Sequence, residues 1–292
     1  MIEPVVQVRP AVDIVVPVYG ERSEALAATL AACVNQTHPV SNFFIVDDGS
    51  PEPVRLPESM RSNPQIRLLR LPHNQGISAA RNAALAESTA ELVACINTEI
   101  LPDPDWLSTC VEYLLQSPTV GACYTRMVPA TPKPLLSRWR MRFLEGKFGE
   151  TTQPTDFAPG HAVLFRKKAV EAVGGYDPNL RVHYEDSDIC HRMRNKRWET
   201  HYIATSRCVS IQQDSFPLLT KKILRDTGWY SPKQGSLPHL YLHHTRMTLI
   251  RAYRNAVKGR FYFLPIDVAI WAYGLWTATS QTIRFAQRRS QS

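Results

Sequence analysis

The feature that most constrains this chain is the regular alternation of short apolar runs with helical segments over its first hundred residues. Asp13–Tyr19 (DIVVPVY), Phe43–Asp48 (FFIVDD), Ile66–Leu71 (IRLLRL) and Glu91–Asn97 (ELVACIN) have the length and branched content of strands. Between them, Ser23–Gln36 carries Leu26, Leu30 and Val34 at helical spacing behind a Ser23 cap, and Ile77–Thr89 is an alanine-rich helix. Strands alternating with helices imply a mostly parallel α/β sheet, whose ligands bind beyond the carboxyl ends of the strands. Three of those ends are polar: Tyr19-Gly20-Glu21, Asp47-Asp48-Gly49-Ser50 and Asn97-Thr98-Glu99. The fold class therefore predicts that they meet in one crevice.

Downstream, a helix is expected from Trp106 to about Ser117, then a strand at Val120–Thr125 and a looser, Pro- and Arg-rich stretch over Val128–Pro159. A strand at Gly160–Phe165 leads through GGYDPNL to a polar-capped helix at Tyr184–Trp198, and strand character resumes over Tyr202–Ile211. Along Leu237–Lys258 a helical wheel gathers Leu242, Leu249, Ile250, Tyr253 and Val257 on one face, with Arg251, Arg254 and Lys258 on another. Phe261–Trp276 is apolar but interrupted by Pro265 and Asp267, short of the roughly 20 clean residues a spanning helix needs.

Composition enters where partners are concerned. The formal net charge of +8 over 292 residues favours phosphates, anionic lipid headgroups or nucleic acid. Nucleic acid is disfavoured, because the basic run Arg192–Arg197 has no interleaved aromatics. The six cysteines form no CxxC pair, so neither a zinc site nor a disulfide framework is indicated, which suits a reducing cytoplasm. The first thirteen residues lack the pattern of a signal peptide. His239 and His243 stand four apart, as a metal pair would, but no acidic partner is near and they read as polar helix residues.

VVPVYGE, IVDDGS, NQGISAARN, the acidic strand end, GGYD and YEDSDICHR occur in an order and spacing that resemble a family 2 glycosyltransferase of GT-A fold, over about residues 12 to 215. The resemblance implies transfer of a sugar from a nucleotide diphosphate donor, with inversion at the anomeric carbon. It implies that Pro17, Tyr19 and Glu21 border the base and ribose, that Asp47 bonds the base with Asp48 beside it, and that Arg81 approaches the base or diphosphate. Asn97 and Glu99 fall on the family's DxD motif, whose acids hold the ribose and the metal-bound diphosphate. Asp186 matches the base that activates the acceptor hydroxyl, and its neighbour Glu185 is expected to orient that hydroxyl. A general base of this kind contributes about 10²–10⁴-fold; alternatively, Asp186 is an N-cap.

Two departures from the pattern bear on cofactors. The DxD motif has become Asn-Thr-Glu, and the family's metal-binding His after the last strand is replaced by Ser210 or Gln212. Only Glu99 remains as a charged metal ligand, so a divalent cation, Mn²⁺ or Mg²⁺, is expected to be weakly required. Leaving-group charge is then offset in part by protein cations such as Arg81, and His161, Arg181 and His183 flank the same motifs.

The organisation expected is a glycosyltransferase domain over 1–215, with a nucleotide-binding half at about 12–100 and an acceptor half at 101–215. A helical extension follows over 216–292. The function expected is transfer from a UDP- or dTDP-sugar to a hydroxyl of a glycan or lipid-linked saccharide, in the cytoplasm and at the inner face of the membrane, which the extension touches without crossing. A sugar-nucleotide or glycan-binding protein with a degenerate site is the alternative, and a nucleotidyltransferase is a distant third. No motif sets an oligomeric state.

Overall fold

The computed structural model describes residues 9–20, 22–130, 135–145, 149–181, 184–212, 215–220 and 237–289, except the side chains of 141–145, 237–240, 277–278 and 281–289. Glu21 and His183 lie outside the described residues, as does the side chain of His239. The chain divides into two compact units, Met1–Thr131 with Leu144–Gln212, and Pro132–Phe143 with Gln213–Ser292.

The first unit is built on a sheet of nine strands among the described residues. Its parallel half comprises β1 (Val12–Val18), β2 (Asn42–Asp47), β3 (Ile66–Arg70) and β4 (Leu92–Ile96). All seven residues of β1 and all five of β4 are buried, with no alternation, because helices cover both faces of the sheet. Buried in β1, Asp13 is satisfied by Asn42 Nδ2 (3.0 Å) and Ser88 Oγ (2.6 Å), so its carboxylate ties neighbouring elements together.

The other half holds β5 (Ile100–Pro102), β6 (Val120–Pro129), β7 (Gln153–Thr155), β8 (Ala162–Arg166) and β9 (Glu199–Ser210). Strand order is β3-β2-β1-β4-β8-β6-β9-β5, with β7 also on β9. β8 runs antiparallel between β4 and β6, while β6 and β9 are parallel. The chain leaves β1 for β2 on one side and later returns to β4 on the other, which opens a crevice at the carboxyl ends of β1 and β4.

The helices of this unit are α1 (Ser23–Val34), α2 (Ile77–Glu87), α3 (Trp106–Gln116), the short α5 (Lys167–Glu171) and α6 (Glu185–Asn195). The N-cap of α1 is Arg22 rather than Ser23, and no side chain caps it. One apolar cluster joins Val15, Phe44 and Val93 of the sheet to Ala80 and Ala84 of α2 and Ile189 and Met193 of α6. All six cysteines are buried and free, acting as small packing groups.

The second unit contains α4 (Leu135–Glu145, most of it), α7 (Leu237–Val257) and α8 (Leu264–Arg289), with a 3-10 turn at Phe261–Phe263. One expectation is corrected here. The stretch expected to be loose contains α4, whose Leu136 and Trp139 follow helical spacing and pack with Leu219, Phe263 and Ile270. Pro265 stands in the first turn of α8, where its missing N–H has no partner to lose. Asp267 is accommodated as a buried acceptor for Trp139 Nε1 (2.9 Å) and Asn255 Nδ2. Among the described residues no helix is long and apolar enough to cross a membrane.

Candidate active site

The carboxyl ends of β1, β2 and β4 carry the residues singled out from the sequence, and two buried acids organise the loops there. Asp47 accepts from Ser50 N (2.8 Å), Val54 N (3.1 Å) and Arg70 Nη1, which fixes the segment after β2. Burial pushes its carboxyl up, but the bonds from Ser50 and Val54 and the Arg70 guanidinium more than reverse this and hold it below the ordinary range. Asp48 accepts from Gln75 N (2.7 Å) and Gly76 N (2.9 Å), placing a carboxylate at the N-terminus of α2. Gly76 has φ 96°, and a Cβ there would sit 2.4 Å from the Arg181 carbonyl, so only glycine fits. Arg181 braces the same turn by donating to the carbonyls of Asn74 and Gln75.

Above these loops lies a pocket of about 340 Å³, lined by Val18, Gly20, Arg22, Glu52, Val54 and Arg55 among others. Tyr19 is half exposed next to it, and Gly20 N donates to Ser50 Oγ (3.0 Å), tying the end of β1 to the loop after β2. Pro17 lies within β1, in register with Val46 of β2.

The second focus is Arg81, which is fully buried in α2. Its Nη1 donates to Glu185 Oε1 (3.2 Å), and its Nη2 donates to Asn97 Oδ1 (3.1 Å) and to the Gly160 carbonyl (2.7 Å). Its guanidinium carbon also lies 5.1 Å from the centre of the Tyr176 ring. Gly160 in turn donates its N–H to Asp186 Oδ2 (3.1 Å), while Asp186 Oδ1 accepts from Ser187 N (2.7 Å). A Cβ on Gly160 would stand 3.0 Å from Arg81 Nη2 and 3.5 Å from Asp186 Cβ, so that close approach depends on glycine. One guanidinium thus joins the end of β4 to the first turn of α6.

Burial raises the Glu185 carboxyl above its ordinary range, with Arg81 pulling the other way and Asp186 adding repulsion. Asp186 stays half-buried at the start of α6, and Tyr184, the residue before the helix, is held at φ 66°. The Asp188–Arg192 pair is a bond within one helix, 2.6 Å at its shortest, and Arg192 also donates to the Val173 carbonyl.

At the end of β4, Glu99 has φ 74°, donates its N–H to Thr29 Oγ1 (3.1 Å), and places Oε1 3.2 Å from Arg22 Nη1. The described residues do not suit a divalent cation: the Asn97 amide oxygen is taken by Arg81 and the Glu99 carboxylate by Arg22. No group of three His, Cys, Asp or Glu among the described residues is placed to hold a metal. His161 contributes its carbonyl, which accepts from Asn97 N (2.9 Å).

Sequence reasoning missed Gly160, Tyr176, Arg22 and Arg70. Their roles come from contacts with residues distant in the sequence: Arg70 with Asp47, Gly160 with Arg81 and Asp186, Tyr176 with Arg81, and Arg22 with Glu99 across the crevice. The one local signal was the position of Arg22 directly after the YGE strand end.

Comparison with known proteins agrees with this geometry. The chain is 29% identical over 157 residues to the pre-mycofactocin glycosyltransferase of Mycobacterium tuberculosis, covering 51% of this chain and 33% of that protein. It is 27% identical over 202 residues to the glucosyl-dolichyl phosphate glucuronosyltransferase of Haloferax volcanii, covering 64% of each. Among solved structures, the mannosyltransferase PcManGT from Pyrobaculum calidifontis, in complex with GDP-Man and Mn²⁺, matches with a TM-score of 0.58 at 20% identity. That match covers 96% of this chain and 81% of the mannosyltransferase, a likeness of fold. The family model for glycosyl transferase family 2 matches residues 13–174, more than half of the chain. By its motifs, its sheet and this match, the chain belongs to glycosyl transferase family 2 and carries that family's GT-A-type fold.

Proposed function

We propose that the protein is an inverting glycosyltransferase, moving a sugar from a nucleotide diphosphate to a hydroxyl of a glycan or lipid-linked saccharide. The observation that carries the reading is the Arg81 junction, which brings the donor strand end at Asn97 and the first turn of α6 at Glu185 into one crevice. Asp186 is the general base: it takes the proton of the acceptor hydroxyl as that oxygen attacks the anomeric carbon and the nucleoside diphosphate departs. Gly160 N and Ser187 N hold its carboxylate in place. Glu185 orients the acceptor hydroxyl and is itself set by Arg81, whose role is to fix Asn97, Glu185 and Gly160 together and to lend its charge from within. Asp47 and Asp48 build the nucleotide side by holding the pocket wall and the α2 turn, with Tyr19 beside the pocket and Pro17 in the strand that leads to it. The chain spans a third to two thirds of the two curated relatives described above, so its donor and acceptor are assigned by this proposal alone.

The second unit is assigned a role at the membrane surface. On α7, Leu242, Leu249, Tyr253 and Val257 are each at least 64% exposed, with the cations Arg246, Arg254 and Lys258 exposed nearby. A helix face of this kind lies in an anionic lipid interface through apolar burial and charge attraction. We place the protein in the cytoplasm at the inner membrane face, on a lipid-linked saccharide, as the name of the Haloferax relative suggests. The domain limits proposed are 1–215 for transfer and 216–292 for the extension, with α4 packed among the helices of the latter.

The test is nucleotide release from a donor panel, UDP- and dTDP-sugars first and GDP-sugars after, with and without saccharide acceptors. Acceptor-dependent release supports the reading. Tight nucleotide binding without turnover on any donor favours the alternative of a sugar-nucleotide-binding protein, to which the altered Asn97-Thr98-Glu99 motif lends its weight.

A further inference from the structure

We infer that Arg22 is the group that receives the donor's diphosphate, supplying the positive charge that a metal ion would bring at an intact DxD motif. The inference rests on the nucleotide-sugar reading above. Of the two motif positions that would hold a metal, Asn97 is neutral and already accepts from Arg81, and Glu99 faces Arg22. The Glu99 backbone is locked in a left-handed conformation by the Thr29 bond and by Ile211 N, which donates to its carbonyl (2.9 Å). A non-glycine residue persists in that conformation only where its surroundings hold it, and here they aim the carboxylate at Arg22.

Arg22 is itself prepared for an anion. Its Nε donates to the Tyr19 carbonyl (3.3 Å) and its Nη1 lies on Glu99, while its Nη2 has no partner among the described residues. The side chain is 43% exposed and lines the pocket at the ends of β1 and β2 together with Gly20 and Arg55. A planar guanidinium oriented from one edge presents its other N–H groups as a fork that matches phosphate oxygens. The pairing with Glu99 has a second effect, because it cancels a negative charge that would otherwise repel the diphosphate. An exposed ion pair adds little to stability, so replacing Arg22 is expected to leave the fold intact.

The experiment is calorimetric titration of the full chain with UDP and UMP in excess EDTA, or with the di- and monophosphate of whichever base binds best. Wild type is expected to bind UDP more tightly than UMP without metal. Arg22→Gln should weaken UDP by about tenfold or more while leaving UMP within twofold, and retained UMP binding shows that the variant is folded. Mn²⁺ should then recover part of the UDP affinity in Arg22→Gln, through the freed Glu99, while changing wild type little. The inference is overturned if wild-type UDP binding disappears in EDTA, if Arg22→Gln keeps the UDP preference, or if it loses UDP and UMP equally. If wild type binds no nucleotide at all, the nucleotide-sugar reading itself fails, an outcome seen before any Arg22 variant is made.

Discussion

The central strands of the first unit and the long helix α7 of the second treat apolar side chains in opposite ways. In the first, β1 and β4 are buried along their whole length, and the polar groups enclosed with them, such as Asp13 and Arg81, are fully bonded or nearly so. In the second, α7 buries His244, Thr248 and Asn255 while Leu242, Leu249, Tyr253 and Val257 stand exposed. A helix that turns four large apolar residues outward is shaped for a less polar neighbour. On the function proposed above, chemistry belongs to the first unit and placement at a lipid surface to the second.

That division is most strongly tested at the start of α6. Asp186→Asn should lower turnover by about 10²–10⁴-fold with nucleotide affinity little changed, and near-normal turnover would remove the base from this residue. Next in size is Arg81→Met, which strands Glu185 in the interior and should cost about 3–5 kcal/mol of stability, read by denaturant melts. A smaller loss would mean that water or Asn97 replaces the guanidinium at little cost. Asp47→Ala removes the acceptor for Ser50 N and Val54 N and should weaken donor binding by about tenfold; unchanged affinity would show that the loop after β2 forms no part of the nucleotide site.

The second unit makes two further predictions. Leu249→Glu combined with Tyr253→Glu should reduce pelleting with anionic vesicles at low salt by about tenfold, with turnover on a water-soluble acceptor preserved. Equal pelleting of variant and wild type would give the face to another partner. His244 carries a smaller, pH-dependent effect. Burial lowers its pKa to about 4, with Arg251 adding repulsion. The unfolded chain therefore binds the proton first, so stability should be full above pH ~6.5 and fall as pH drops toward about 4. His244→Gln should flatten that part of the pH–stability curve, and an unchanged curve would place the titrating group elsewhere.

β1, β2 and β4 were legible in the sequence because burial on both faces leaves apolar runs with polar residues near their ends. β5 and β7, three residues each, were not, since so short a segment has no period to detect. The continuity of α8 was hidden by Pro265 and Asp267, one harmless in a first turn and the other satisfied by Trp139 on a distant helix. At the site, Asp186, Glu185, Asn97 and Glu99 could be named from motifs. What the sequence could not give was their bonding. Arg81 reads locally as a helix residue, and its partner Glu185 lies 104 positions away; Gly160 reads as a loop glycine until the guanidinium beside it is seen.

The central claim, a single carboxylate driving direct displacement in the first unit, has one most direct test. The anomeric configuration of the product can be followed by proton NMR during turnover of the best donor and acceptor. Direct displacement with Asp186 as base predicts a linkage opposite in configuration to the donor's sugar–phosphate bond. A product of retained configuration would contradict the account.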